Sequence, residues 1–334
     1  MKLLGSLAAR LCVLCWLAVV PLGMAAAGAA ELEWDVTAGN GQADGGSGTW
    51  TSGGAGWWDT AGASDVSFVD GDSVTFGGTA GTVTVSGTVA TPSITIESGY
   101  SFTSGASDSI DVGGGTIDSS ALGTSGGTDV TMNAVLAGTG GLTINAHGNL
   151  SASGGGSGAE FRLGNGNGNG NTFSGGLSIN GGLVSWTDDT SFGDASNTIT
   201  LANFGGLLDA NQSHTLSRDL VIDATGGTIR TYGNATLTLA GQISGTGDIN
   251  RTDGGTLIVS NAANTHSGTW NLQGGILRVN GGGSLGTAAI NNGTRVDFFN
   301  DGTAGTYTNG ISGAGGIRLR IARSMALPQP SPDG

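Results

Sequence analysis

Short runs in which aliphatic and hydroxyl residues alternate recur along most of the chain: Val83-Thr-Val85, Ile94-Thr-Ile96, Ile199-Thr-Leu201, Leu220-Val-Ile222 and Leu237-Thr-Leu239. A period of two sends aliphatic side chains to one side and Ser or Thr to the other, which is the pattern of half-buried strands. Between these runs fall glycine pairs or triplets, such as Gly77-Gly78, Gly113 to Gly115, Gly181-Gly182, Gly226-Gly227 and Gly274-Gly275. Glycine takes positive φ without steric cost, so these sites read as turns. No amphipathic helix pattern follows residue 30. The expectation is an all-β protein of many short strands.

The same chain repeats itself. Asn171-Thr-Phe-Ser-Gly-Gly-Leu-Ser-Ile-Asn-Gly-Gly-Leu-Val aligns without a gap on Asn264-Thr-His-Ser-Gly-Thr-Trp-Asn-Leu-Gln-Gly-Gly-Ile-Leu at an offset of 93, and Ser191-Phe-Gly193 then falls on Ser284-Leu-Gly286. A lead-in precedes each copy: Leu136-Ala-Gly-Thr-Gly-Gly-Leu142 and Ile243-Ser-Gly-Thr-Gly-Asp-Ile249, offset by 107, so the first copy carries 14 extra residues around Gly154 to Gly170. The run Gly164-Asn-Gly-Asn-Gly-Asn-Gly170 within them reads as a flexible loop. A third lead-in starts at Ile311 and the pattern then breaks near Arg318. A unit of 93 residues suggests four coils of roughly 23, stacked at about 4.8 Å as a parallel β-solenoid of roughly 13 turns. An array of β-sandwiches is the alternative, but it calls for fewer and longer strands.

The two copies resemble the autotransporter-associated β-strand repeat, and the lead-in Ile243 to Asn264 is similar to the segment that precedes that repeat. The resemblance covers about 136 to 317. It implies a right-handed parallel β-helix (β-solenoid) in the exported passenger of a bacterial type V secretion protein, often an adhesin. His266 stands where the repeat is usually aromatic, and Trp270 where it is small and polar; both departures read as tolerable on a solenoid surface. A complete autotransporter continues into an outer-membrane barrel, and no such strands follow here. The resemblance therefore implies either an interruption near Arg318 or a short secreted relative, with the barrel as the missing membrane partner.

Composition sharpens this picture. Of 334 residues 67 are glycine and only five proline, which excludes collagen, while the aliphatic content excludes a solvated glycine linker. Lys2 and Arg10, the apolar run Leu11 to Leu22 and the small residues Ala25 to Ala30 make residues 1–30 a signal peptide for export. Cys12 and Cys15 both lie in it, leaving the exported part without thiols. That part carries nine arginines against all 25 acidic residues. Such a balance excludes a nucleic-acid binder, and no later run is long enough for a membrane helix. The expected organisation is a signal peptide over 1–30, an N-terminal Trp-rich cap and first turns over 31–100, a β-helix over 101–317, and an irregular tail over 318–334.

Candidate chemistry is sparse. Trp34, Trp50, Trp57 and Trp58 fit either a cap over the open end of a solenoid or an aromatic platform for sugar rings. His147, His214 and His266 have no metal-ligand spacing. Asp188-Asp189 with His147-Gly148 faintly matches the acids and His-Gly of β-helical polygalacturonases, where paired carboxylates protonate a leaving oxygen and activate water. Asp70-Gly-Asp72 and Asp297 to Asp301 are candidate calcium positions, although the calcium nonapeptide series is absent. No catalytic, cofactor-binding or metal residue is assigned, and no cofactor is expected. The expected function is a non-enzymatic exported surface or secreted scaffold for adhesion or presentation, meeting a cell-surface or glycan ligand. The alternatives are a polysaccharide-acting β-helical enzyme, which needs clustered acids on one face of adjacent turns, and a truncated relic without selected activity.

Overall fold

The computed structural model describes residues 29–123, 128–148, 159–209, 213–300 and 307–321. The signal peptide drawn at 1–30 lies almost wholly outside the described residues. Over the described residues the chain winds as a parallel β-solenoid of about ten turns, whose regular elements are strands apart from one short 3-10 turn. Each full coil visits three faces in order. The first is an eleven-stranded sheet, the second a twelve-stranded one, and the third consists of a three-stranded and a six-stranded segment. Between those two segments the third face is carried by residues 171–174 and by the short 3-10 turn Asp189–Phe192, each laid over the coil before it.

The core is a set of stacked columns. On the first face Leu32, Val74, Ile94, Ile117, Ile144, Ile179, Leu201 and Ile222 lie in direct register on successive strands, all buried. Burying each such side chain contributes about 1.5–3 kcal/mol. Outward positions form polar ladders: Asn145, Asn180 and Asn203 bond in series on the first face, as do Asn250, Asn271 and Asn291 on the second. One aliphatic column is interrupted. Arg251 follows Phe161, Val184, Leu207 and Ile229 into the interior of the second face. Its guanidinium reaches the carbonyls of Gly255 (2.8 Å) and Asp253 (3.3 Å), and burial pushes its pKa down to about 10 against the opposing pull of Asp253.

Equal coils of 23 residues are not what the chain forms. Asparagines bonded across neighbouring rungs are 35 residues apart at Asn145–Asn180 but 23 at Asn180–Asn203, 21 at Asn250–Asn271 and 20 at Asn271–Asn291. The coils from Leu32 to Val74, from Ile117 to Ile144 and from Ile144 to Ile179 carry extra residues, so the stack has about ten turns rather than 13. The repeat also fails to span whole coils. Leu177 lies on the first face and its counterpart Trp270 on the second; Val184 lies on the second and Leu277 on the third. The 93-residue offset is four coils plus one face.

Local structure is nonetheless the same in both copies. Asn171 and Asn264 each fill a corner: their Oδ1 atoms accept from the amides of Leu136 (3.0 Å) and Ile243 (2.6 Å), and their Nδ2 atoms donate to the carbonyls of Ser191 and Ser284. Gly182 and Gly275 have φ of 60° and 61°, and a Cβ there would lie 2.1 Å from the Ala146 carbonyl oxygen and 2.3 Å from that of Gly255. A side chain is excluded at both. The repeat thus encodes a strand, corner and strand that sits on different sides of the prism in its two copies. His266 and Trp270 are both fully buried, which corrects their placement on the surface, because the residues align with inward Phe173 and Leu177. Their rings meet edge to face at 5.8 Å.

Two further expectations change. The Gly164 to Gly170 segment is a bonded turn, in which Asn167 donates to Thr103 Oγ1 (2.7 Å) and Asn165 to Asp188 Oδ2 (2.7 Å). The boundary drawn at Arg318 falls inside a strand, Gly316–Ile321, paired in parallel with Arg295–Asn300. Among the described residues no helix is long and apolar enough to cross a membrane.

Candidate surface cleft

The second face carries an outward row, Thr131, Arg162 and Ser185, on the strands Val130–Asn133, Phe161–Leu163 and Leu183–Trp186. Where these strands end, the wall turns toward the third face and leaves a cleft of about 420 Å³ that Asn133, Trp186, Thr187 and His214 also line. Arg162 is fixed at its rim by Asp129 Oδ2 (2.5 Å) and Glu160 Oε1 (2.8 Å) while its side chain stays half exposed. The rings of Trp186 and His214 lie 4.9 Å apart at 40°, and Trp186 packs on Phe192 behind. The Trp186 indole N–H is buried without an acceptor among the described residues. Trp186 is buried behind the cleft. The half-exposed guanidinium, the Asn133 amide, the hydroxyls of Thr131 and Thr187 and the partly exposed His214 ring suit reversible binding of a polar ligand.

The residues singled out in the sequence are dispersed. His147 sits where the first face passes into the second, its carbonyl under the Leu183 amide; Asp188 sits at the other end of that second-face strand. Four strand residues at about 3.3 Å each separate them. Asp188 caps the short 3-10 turn, accepting from the Thr190 amide (2.9 Å) and from Asn165 (2.7 Å). Burial works to raise its pKa, but the Thr190 and Asn165 bonds and the nearby His214 outweigh it and hold the carboxyl below the usual range. A general acid needs the opposite shift. Asp189 is taken by Arg218 Nε (3.0 Å) and the Ser217 amide. His147 is buried, with Nδ1 2.8 Å from Ser119 Oγ, and burial pushes its pKa down.

The other candidates are engaged in structure. Asp70 accepts from Ser52 and the Ala90 amide, and Asp72 from the amides of Ala30 and Val69. Asp297 lies among arginines, which disfavours a cation there, and Asp301 lies outside the described residues. Among the described residues no group of three His, Cys, Asp or Glu is placed to hold a metal ion. Trp34, Trp50 and Trp57 are buried in one cluster with Phe68 and Phe76, so these indole faces offer no sugar platform. The cleft itself escaped the sequence reading. Trp186 and His214 are one coil apart, and with coils of unequal length their juxtaposition has no spacing signature.

Over 301 residues the chain is 33% identical to the "Adhesin BmaC autotransporter" of Brucella suis biovar 1 (strain 1330). The match and the solenoid fit an autotransporter passenger-like protein. The alignment covers 84% of this chain and 8% of the curated relative, so the passenger-like chain spans a small part of the length of the protein it matches. No family model matches it, and no solved structure does.

Proposed function

We propose that this passenger-like chain is a non-enzymatic, exported scaffold at the bacterial cell surface or in secreted form, working in adhesion or ligand presentation. The observation that carries the reading is the 33% identity over 84% of the chain to a protein named an adhesin, on a fold whose polar side chains mostly hold coils together. The cleft at Arg162, Trp186 and His214 is the proposed contact for a cell-surface or glycan ligand. A barrel in a longer parent protein is the proposed membrane partner. The engaged state of Asp188 and Asp189 supports binding over turnover.

Beads coated with the full chain test this against cultured cells and arrayed glycans. Saturable attachment that drops severalfold in the Arg162→Ala/His214→Ala variant is expected. Attachment no greater than that of uncoated beads contradicts adhesion, and release of new reducing ends from any arrayed polysaccharide contradicts the non-enzymatic reading.

A further inference from the structure

The outer side of the third face changes character over three adjacent strands, Ile276–Asn280, Arg295–Asn300 and Gly316–Ile321. Register places Arg278, Asp297 and Arg318 in one column and Asn280, Phe299 and Arg320 in the next, with Arg295 beside the first. Four of the nine arginines beyond residue 30 therefore share one side of three rungs, in a chain of net charge −14. Like charges on neighbouring strands are destabilising, and a parallel ladder needs none of them.

Of the described residues, only one acid lies among them. Asp297 points outward yet is fully buried because the arginines fold over it: Arg295 Nε is 3.0 Å away, and Arg278 Nη2 and Arg320 Nη1 are each 3.8 Å away. One carboxylate against four guanidiniums leaves an excess of positive charge. The Arg278 guanidinium also lies 5.9 Å from the Phe299 ring centroid. Arg278 Nε and Asn280 Oδ1 are buried without hydrogen-bond partners among the described residues.

We propose that this arginine platform binds a sulfated oligosaccharide of the glycosaminoglycan class. Guanidinium forks pair bidentately with planar or tetrahedral oxyanions. Rungs at about 4.8 Å and alternate residues at about 6.6 Å along a strand set those forks at the scale of neighbouring charges on a sugar chain. Phe299 offers a ring to an apolar sugar face. The acidic remainder of the surface opposes a bilayer or a nucleic acid, whose charge would extend past the patch into like charge. The assignment rests on the adhesion reading only for where such a ligand is met.

Titration calorimetry on the full chain tests it with a heparin hexasaccharide, neutral dextran, single-stranded DNA and phosphatidylserine vesicles. The hexasaccharide binds, more weakly as salt rises; Arg318→Gln/Arg320→Gln weakens it by about tenfold or more with an unchanged melting midpoint. Asp297→Asn, which removes the competing carboxylate, tightens it severalfold, where a purely structural acid would give weaker binding. Hexasaccharide binding no better than dextran, an unaffected Arg318→Gln/Arg320→Gln variant, or equal binding of DNA or vesicles overturns the proposal. A chain that coats beads and attaches to cells yet takes no hexasaccharide overturns the platform alone. A chain that takes hexasaccharide but attaches to no cell overturns the adhesion reading alone.

Discussion

The two ends of the described stack treat the same alternation differently. At the N-terminal end Trp34, Trp50 and Trp57 lock against Phe68 and Phe76, and the antiparallel strands Trp57–Asp59 and Ser64–Val66 lie beyond Glu31–Trp34 to end the first face. At the other end the strand Gly316–Ile321 keeps the inward parity of the rungs below, yet its Ile317 and Leu319 are 59% and 71% exposed. A parallel stack buries a side chain only when a rung lies on each side of it. Aromatic volume and reversed strand direction replace the missing neighbour at one end.

Substitution should separate the ends most sharply at that cluster. Trp50→Ala is expected to cost about 3–5 kcal/mol in urea unfolding, while Leu319→Ala stays within about 0.5 kcal/mol. Equal losses would break the comparison. Next in size are the corner asparagines. Asn171→Ala and Asn264→Ala each strip buried backbone partners and should cost about 2–3 kcal/mol, with similar values expected because the corner is the same on both faces. A cost at only one would show that the copies are not structurally equivalent.

A smaller effect is expected from pH. Burial pushes the pKa values of His147 and His266 down, in His266 against the Gly247 carbonyl and the charge of Asp248. The unfolded chain takes up these protons near pH 6.5 and the folded chain does not, so stability is full above about pH 6.5 and falls as pH drops below it. Melting midpoints between pH 7 and pH 5 should therefore decline, and the His147→Gln/His266→Gln variant should flatten the slope. A wild-type midpoint that rises on acidification would contradict the buried neutral state.

Period-two alternation and glycine pairs were enough to read strands and corners, because each depends on residues close in sequence, while coils and their stacking were read from the 93-residue repeat. The 93-residue repeat was legible too, but not its path: a repeat shorter or longer than whole coils looks the same in sequence as one that closes. The surface reading of Trp270 failed for a related reason. Its inward direction follows from strand parity relative to Leu272, while the family pattern at that position is polar. The cleft depends on how loops of different length bring Trp186 to His214, and the arginine platform on a register that three strands must adopt together. Neither has a local signature.

The central claim is a parallel stack in the stated register, and cysteine cross-linking tests it most directly. In a chain with Cys12 and Cys15 replaced by serine, Asn271→Cys and Asn291→Cys face each other on adjacent strands and should form a disulfide on mild oxidation. The pair Asn271→Cys and Asn280→Cys, nearer in sequence but on different faces, should not. Efficient closure of the second pair with none of the first would contradict the solenoid.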